Sequence, residues 1–388
     1  MKITAVHSHV MEYDLPEELG YSQQYYAKRS CHLVEVQTDA GITGWGECFG
    51  PGPVARVNRA IVKGVIAPLI VGRSAFDREV IWHEVYNRLR DHGQKGMPIQ
   101  ALSGVDIALW DAAGKALGVP LTTLLGGRFR DTVPVYGYGM MLRRMDTPSL
   151  ATSFAAEARQ LEGQGFRALK MKVGHGPAAD IALVDATRHA LSDDTALMVD
   201  ANHAYHVTDA LKVGRALDRL GIGWFEEPVA PEDLNGYREL RAALSTPIAG
   251  GEAEFTRWGW RPLLEARALS IAQPEVCALG GISEFQRVLA LAHSHFVPVI
   301  NHVWGSPVAL AVNLQLLAAM PPLPGGLYPA EPMLEYDTTH HLFRDELALE
   351  PLTIAADVAA GGRTGVPNRP GHGITPNPDV LAKYAVPR

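Results

Sequence analysis

Cysteine is scarce in this 388-residue chain: Cys31, Cys48 and Cys277 are its only three, and they lie far apart. An odd, scattered set excludes a disulfide framework and the paired spacing of a zinc knuckle. Long apolar runs are also missing, and crossing a bilayer takes about 20 such residues. The opening Met1-Lys2-Ile3-Thr4 lacks the apolar stretch and small-residue cleavage site of a secretory leader, so the expectation is a cytoplasmic protein without membrane contact. Positive charge is not in excess. Forty-two acidic and 35 basic residues leave a net charge of −7, with no block of one sign, which argues against nucleic acid as a partner. No G-x-G-x-x-G is present, which weighs against a dinucleotide-binding sheet. Apolar residues, by contrast, make up 47 %, enough for a large core, and the length suits two or three domains.

Two textures divide the chain. Lys2–Tyr13 and Cys31–Thr38 alternate apolar and polar residues, and the Asp39-Ala40-Gly41 turn leads into Ile42–Gly46, which predicts a small antiparallel sheet. Helical patterns follow at 54–69, 76–92 and 98–117, the last stopping near Gly118 with Pro120 behind it. From Val133 onward, short apolar runs at 168–173, 196–199, 223–225, 247–249, 269–272 and 297–300 alternate with helical segments. Strands separated by single helices imply parallel βαβ units, and this many in about 200 residues suit a (β/α) barrel. The Pro- and Gly-rich tail beyond 340 is expected to fold back on the first unit.

Acidic residues fall at the ends of these apolar runs. Asp200 closes Leu197-Met198-Val199, Glu226 follows Trp224-Phe225, and Glu252 follows Ile248–Gly251, each successive acid 26 positions after the last. One strand-plus-helix unit takes about that much chain, so three successive strands each present one carboxylate at the C-terminal rim, where barrel active sites lie. Converging carboxylates repel one another unless a cation sits between them, and an all-oxygen set suits Mg²⁺. Glu227 is the adjacent alternative to Glu226, and strand alternation lets only one of the two face the metal.

Lys170 and Lys172 share one face of the preceding strand. Two lysines turned into a barrel are costly unless used. Beside a divalent cation and each other, both are expected to fall in pKa, which would make a lysine an effective base near neutral pH. Across the barrel, His302 ends the run 297–300 and Glu275 ends the previous one, 27 residues earlier. A carboxylate on one imidazole nitrogen fixes the tautomer, so this pair is a second candidate acid or base.

Lys170-x-Lys172, Asp200, Glu226-Glu227-Pro228, Gly251-Glu252 and His302, together with Ala101–Asp111, resemble the mandelate racemase subgroup of the enolase superfamily over nearly the whole chain. The resemblance implies a modified (β/α)₇β barrel of the TIM type over residues 126–340, an α+β capping domain at 1–125, and a segment, 341–388, returning to the cap. It implies one Mg²⁺ per subunit on Asp200, Glu226 and Glu252. Lys172 would be the base on one substrate face, Lys170 would contact the substrate carboxylate and depress Lys172, and His302 would act on the opposite face. Glu335 would hydrogen-bond the other enediolate oxygen. The histidine's partner in this group is usually aspartate; here it is Glu275. Val199–His203, Trp224–Val229, His302–Gly305 and Glu331–Asp337 look similar to the aldarate-lactone cycloisomerases of the group. That resemblance implies a hydroxylated sugar acid or its lactone as substrate, contacts from Asn202, His203 and Trp304, and a homo-oligomer.

Specificity is expected from the cap. Leu15–Arg29, with Tyr21 and Gln23 as candidate substrate contacts, reads as a polar, aromatic loop able to close over the barrel mouth, and Gly50-Pro51-Gly52-Pro53 as a second wall. The predicted reaction is removal of the proton α to a carboxylate, followed by β-elimination. Dehydration of an aldarate or aldonate, racemisation, a Schiff-base aldolase on either lysine and a silent binding barrel stay open as alternatives.

Overall fold

The computed structural model describes residues 1–387. Its first sheet is built from β1 (Ile3–Tyr21), β2 (Gln24–Thr38) and β3 (Thr43–Cys48), all antiparallel in the order β1-β2-β3. Gly41 (φ 72°) makes the turn into β3. The helix Met97–Leu117 packs directly on β3, because a Cβ at Gly46 would lie 2.0 Å from the Gly104 carbonyl oxygen. That helix ends at Gly118, left-handed at φ 68°.

The second sheet follows the strand–helix rhythm of the sequence. β4 (Thr132–Tyr138), β5 (Ala168–Lys172), β6 (Ala196–Asp200), β7 (Phe225–Glu226), β8 (Ile248–Gly250) and β9 (Ile271–Ala272) are parallel neighbours in chain order. Val299 then bridges Ala272, and β10 (Leu334–Asp337) returns to lie parallel to β4. Seven strand–helix units and a closing strand thus form a barrel-like sheet under an antiparallel cap, the α/β architecture expected.

Three details depart from the sequence reading. Leu15–Arg29 is no loop: β1 and β2 continue through it as a hairpin paired to Tyr21 and Gln24. Several barrel strands are shorter than their apolar runs, and 297–300 makes a single bridge instead of a strand. The tail does more than return to the cap. β11 (Arg363–Gly365) pairs antiparallel with β4, while His372 N donates to Asp111 (3.0 Å) and Val386 N to Val10 O (2.8 Å) in the cap.

Buried acids of the cap fix it over the barrel. Glu47 accepts from Ser306 Oγ (2.6 Å) and Ala309 N (3.1 Å) at the start of the helix Pro307–Ala319. Asp106 accepts from Ser283 N (2.9 Å) and Oγ (2.6 Å) in the first turn of Gly281–Ser294. A carboxylate at a helix N-terminus satisfies free N–H groups and meets the positive end of the dipole. Two such contacts orient the sheet of the cap above the C-terminal rim.

Candidate active site

β6 ends on Asp200 and β7 on Glu226, which lie opposite each other in register, and Glu252 stands two residues beyond β8. Gly251 permits the last placement: it takes φ 117°, and a Cβ there would strike the Trp260 ring at 2.2 Å. One oxygen from each of the three carboxylates lies within 4.8 Å of the others. Burial and the nearby acids push Glu226 up to about 8 and Glu252 up to about 7. Asp200 is also buried, but Lys172 and Lys170 hold it well below the usual carboxylate range. Glu252 Oε2 is buried with no hydrogen bond to the described residues, the only such oxygen of the three carboxylates. Three hard oxygen donors, two of them strained by mutual repulsion and one with an orphaned lone pair, fit a divalent cation.

Glu226 is braced by Lys170 and by two groups the sequence did not single out. Its Oε2 accepts from Trp224 Nε1 (2.9 Å) and Gln273 Nε2 (2.6 Å), and its Oε1 from Lys170 (2.7 Å). Trp224 sits two residues before Glu226, so strand alternation could have revealed it; Gln273 is 47 residues away and gave no signal. Glu227 turns off the strand at φ 41° and faces His203 Nδ1 at 2.9 Å.

Lys170 is fully buried and lies 2.5 Å from Glu335 Oε1, while Glu335 Oε2 accepts from Val303 N (2.9 Å). Lys172 pairs with Asp200 and donates to Asn202 Oδ1 at 2.7 Å. The expected fall in the two lysine pKa values is not what the protein groups alone produce. Burial lowers both, and Lys170 does lower Lys172, but Glu226 and Glu335 around Lys170 and Asp200 beside Lys172 raise them above the ordinary ammonium range. A cation on the same carboxylates would oppose that pull.

His302 Nδ1 meets Glu275 Oε2 at 2.8 Å, and its Nε2 lies 3.3 Å from Glu252 Oε2. The other Glu275 oxygen accepts from Cys277 N at 2.8 Å, so the longer acid is tied at both ends and still reaches the ring. Burial disfavours the imidazolium, but Glu252 and Glu275 lift it to about 10. In sheet order the three acids lie between the lysines of β5 and the Glu275–His302 pair beyond β9.

A cavity of about 290 Å³ opens between barrel and cap. Lys172, Asn202, His203, Glu252, His302 and Trp304 line its barrel side, and Tyr21, Gln24, Tyr26, Phe49, Pro51 and Gln100 its cap side. Lys170, Asp200, Glu226, Glu275 and Glu335 stand behind that wall. Gln23 does not face the cavity as expected. It occupies the tip of the hairpin, where its Nε2 (2.9 Å) and Ser22 Oγ (2.7 Å) both donate to Asn202 O, and strand alternation turns Gln24 inward instead. Asn202 (φ 40°) and His203 (φ 60°) form the left-handed turn that this tip grips.

Two family models match. One, described as the mandelate racemase/muconate lactonizing enzyme N-terminal domain, covers residues 5–126; the other, enolase C-terminal domain-like, covers 153–380. The chain is 42 % identical over 387 residues to D-galactarolactone cycloisomerase of Agrobacterium fabrum, covering 100 % of both chains. The 3,6-anhydro-D-galactonate cycloisomerase of Zobellia galactanivorans superposes with a TM-score of 0.88 at 33 % identity over 100 % of both chains. L-talarate/galactarate dehydratase of Salmonella typhimurium, liganded with Mg and L-lyxarohydroxamate, gives a TM-score of 0.84 at 28 % identity, over 100 % of this chain and 93 % of that one.

Proposed function

This chain is an enzyme of the enolase superfamily, in its mandelate racemase/muconate lactonizing group, and from that premise we propose that it opens an acid-sugar lactone by Mg²⁺-dependent β-elimination, as a homo-oligomer in the cytoplasm. The observation that carries the reading is the carboxylate triad within 4.8 Å, flanked on one side by Lys172 and on the other by His302. Asp200, Glu226 and Glu252 would hold the cation, which when bound supplies Lewis-acid charge for the developing enediolate.

The chain's own groups account for the rest. Lys172 reaches the cavity and removes the proton on the carbon next to the substrate carboxylate. Lys170, buried beside it, keeps positive charge close to where negative charge grows, and Glu335 anchors Lys170 in place. The C–H electron pair becomes the new C=C bond of the enediolate. That intermediate then collapses, and the C–O bond at the β carbon breaks with its electrons on oxygen. A lactone ring oxygen leaves as a carboxylate and needs no proton. The resulting enol takes up a proton to become a 2-keto acid. Asn202, His203, Trp304 and Tyr21 line the cavity and would hold the sugar. The similarity to D-galactarolactone cycloisomerase supports a lactone substrate.

One observation favours dehydration as a second reading. Glu252 and Glu275 beside His302 both favour a proton on the imidazole, and a hydroxyl leaves as water only when protonated. The deciding experiment is a screen of aldarolactones, aldarates and aldonates with keto-acid detection, run in D₂O with and without chelator. The reading expects metal-dependent keto acid, with lactones preferred. Full activity after metal stripping, or recovery of inverted, deuterated substrate as the only product, would overturn it.

A further inference from the structure

At the cap side of the cavity one side chain has its orientation dictated by its neighbours and its own donors unused. Asn58 is fully buried, and its Nδ2 donates to the carbonyl of Phe49 at 3.0 Å. A carbonyl only accepts, so the Asn58 amide can stand one way round. The same Nδ2 meets Gln100 Oε1 at 3.3 Å. Gln100 therefore turns its oxygen to Asn58 and its Nε2 away from it. The side chain is only 8 % exposed and lines the cavity, and its Nε2 donates to none of the described residues. Gly50 makes room for the relay, since a Cβ there would stand 2.8 Å from Asn58 Nδ2. Its two N–H donors open into the cavity with no acceptor among the described residues, so a ligand seated there can supply one.

We propose that Gln100, oriented by Asn58, is a specificity-determining residue whose Nε2 donates to a neutral oxygen at the end of the substrate remote from the reacting carboxylate. The proposal rests on the acid-sugar reading above and narrows it. The remote group is neutral because Gln100 carries no charge. Lys28, the cation at the cap end of the cavity wall among the described residues, is already paired with Glu12 (3.0 Å) and Asp14 (3.4 Å). A lactone carbonyl or a hydroxyl suits that surrounding; a second carboxylate would find no unpaired cation there among the described residues. Phe49 links the two ends: its carbonyl holds Asn58, and its ring stands T-shaped to His302 with centroids 5.8 Å apart.

The test compares kcat/KM for two acids sharing the reacting α-hydroxycarboxylate but differing in one remote hydroxyl, and for an aldarolactone against its open diacid. Wild type should favour the hydroxylated acid and the lactone. Gln100→Met should cut each preference about tenfold, mainly through KM, the loss of one well-placed hydrogen bond. Gln100→Glu, which keeps the acceptor facing Asn58, should do the same and serves where the methionine variant does not fold. Equal losses on all substrates, or preferences unchanged in a folded variant, would overturn the assignment while the acid-sugar reading stands. A wild-type enzyme that forms keto acid from none of the panel would overturn both.

Discussion

The barrel floor of the cavity and its cap roof are both polar, but they are polar in opposite ways. On the floor nearly every polar atom is bonded to another charged group: Lys172 to Asp200, Lys170 to Glu226 and Glu335, His302 to Glu275. The roof offers mainly neutral phenols and amides, and Gln100 has donors with no partner among the described residues. A floor whose charged groups are braced by one another, with Glu252 Oε2 left over for a cation, keeps its geometry whichever substrate arrives, and so suits chemistry common to many acids. A roof with unspent hydrogen bonds gains most when a ligand supplies what is missing, and so suits selection. Each prediction below asks whether these two surfaces divide the work in that way.

The largest effect is expected on the floor. Lys172→Ala should lower turnover by at least about 10³-fold, within the range that a positioned base contributes. Divalent-cation affinity, measured by calorimetry, should stay within a few fold, because none of the three carboxylates is removed. A variant with substantial activity would remove the base from the floor. Glu275→Gln should cost less, about 10²-fold. The amide can still meet the ring but cannot favour its protonated form. If lactone opening suffers as much as dehydration in this variant, His302 does more than protonate a leaving hydroxyl.

The floor should also respond to pH in a way the roof cannot. Glu226 and Glu252 are raised from 4.5 to about 8 and 7, and His302 from 6.5 to about 10. Raised values mean the fold binds more protons than the unfolded chain. The stability they contribute is complete below the unfolded values and is lost as pH climbs through the folded ones. Chelator-treated protein should therefore unfold at progressively lower temperature from about pH 5 to 8. A divalent cation at 100 times its dissociation constant should restore about 2.7 kcal/mol. Because cation and protons compete for the same oxygens, the dissociation constant itself should fall as pH rises across that window. A cation affinity independent of pH would mean that Glu226 and Glu252 do not convert from protons to metal.

The same contrast explains what could be read in the sequence. Each floor carboxylate follows an apolar strand at a fixed interval, so burial and spacing announce it together. The roof leaves no such trace. Leu15–Arg29 reads as a loop in the sequence because only Leu15, Leu19, Gly20 and Arg29 of it are buried, at positions that keep no two-residue period. Gln100 lies in the first turn of a buried, mostly apolar helix, and the partner that aims it is 42 residues away. Gln273 escaped for a similar reason: its importance lies in a contact with Glu226, not in any local pattern.

The smallest predicted effect concerns the hairpin tip, where the roof grips the floor beside Lys172. Ser22 Oγ and Gln23 Nε2 both donate to Asn202 O, and the Asn202 side chain in turn accepts from Lys172 and reaches Glu252 at 3.3 Å. Gln23→Ala removes one of two donors to the same carbonyl and leaves Ser22 in place. A single net hydrogen bond of about 0.5–1.5 kcal/mol, half replaced by its neighbour, corresponds to a rise of about threefold in KM. Because Lys172 is still held by Asp200, kcat should stay near its wild-type value. A kcat loss larger than the KM rise would mean that the hairpin tip sets the position of the base, and the division between a fixed floor and a selecting roof would then fail at Asn202.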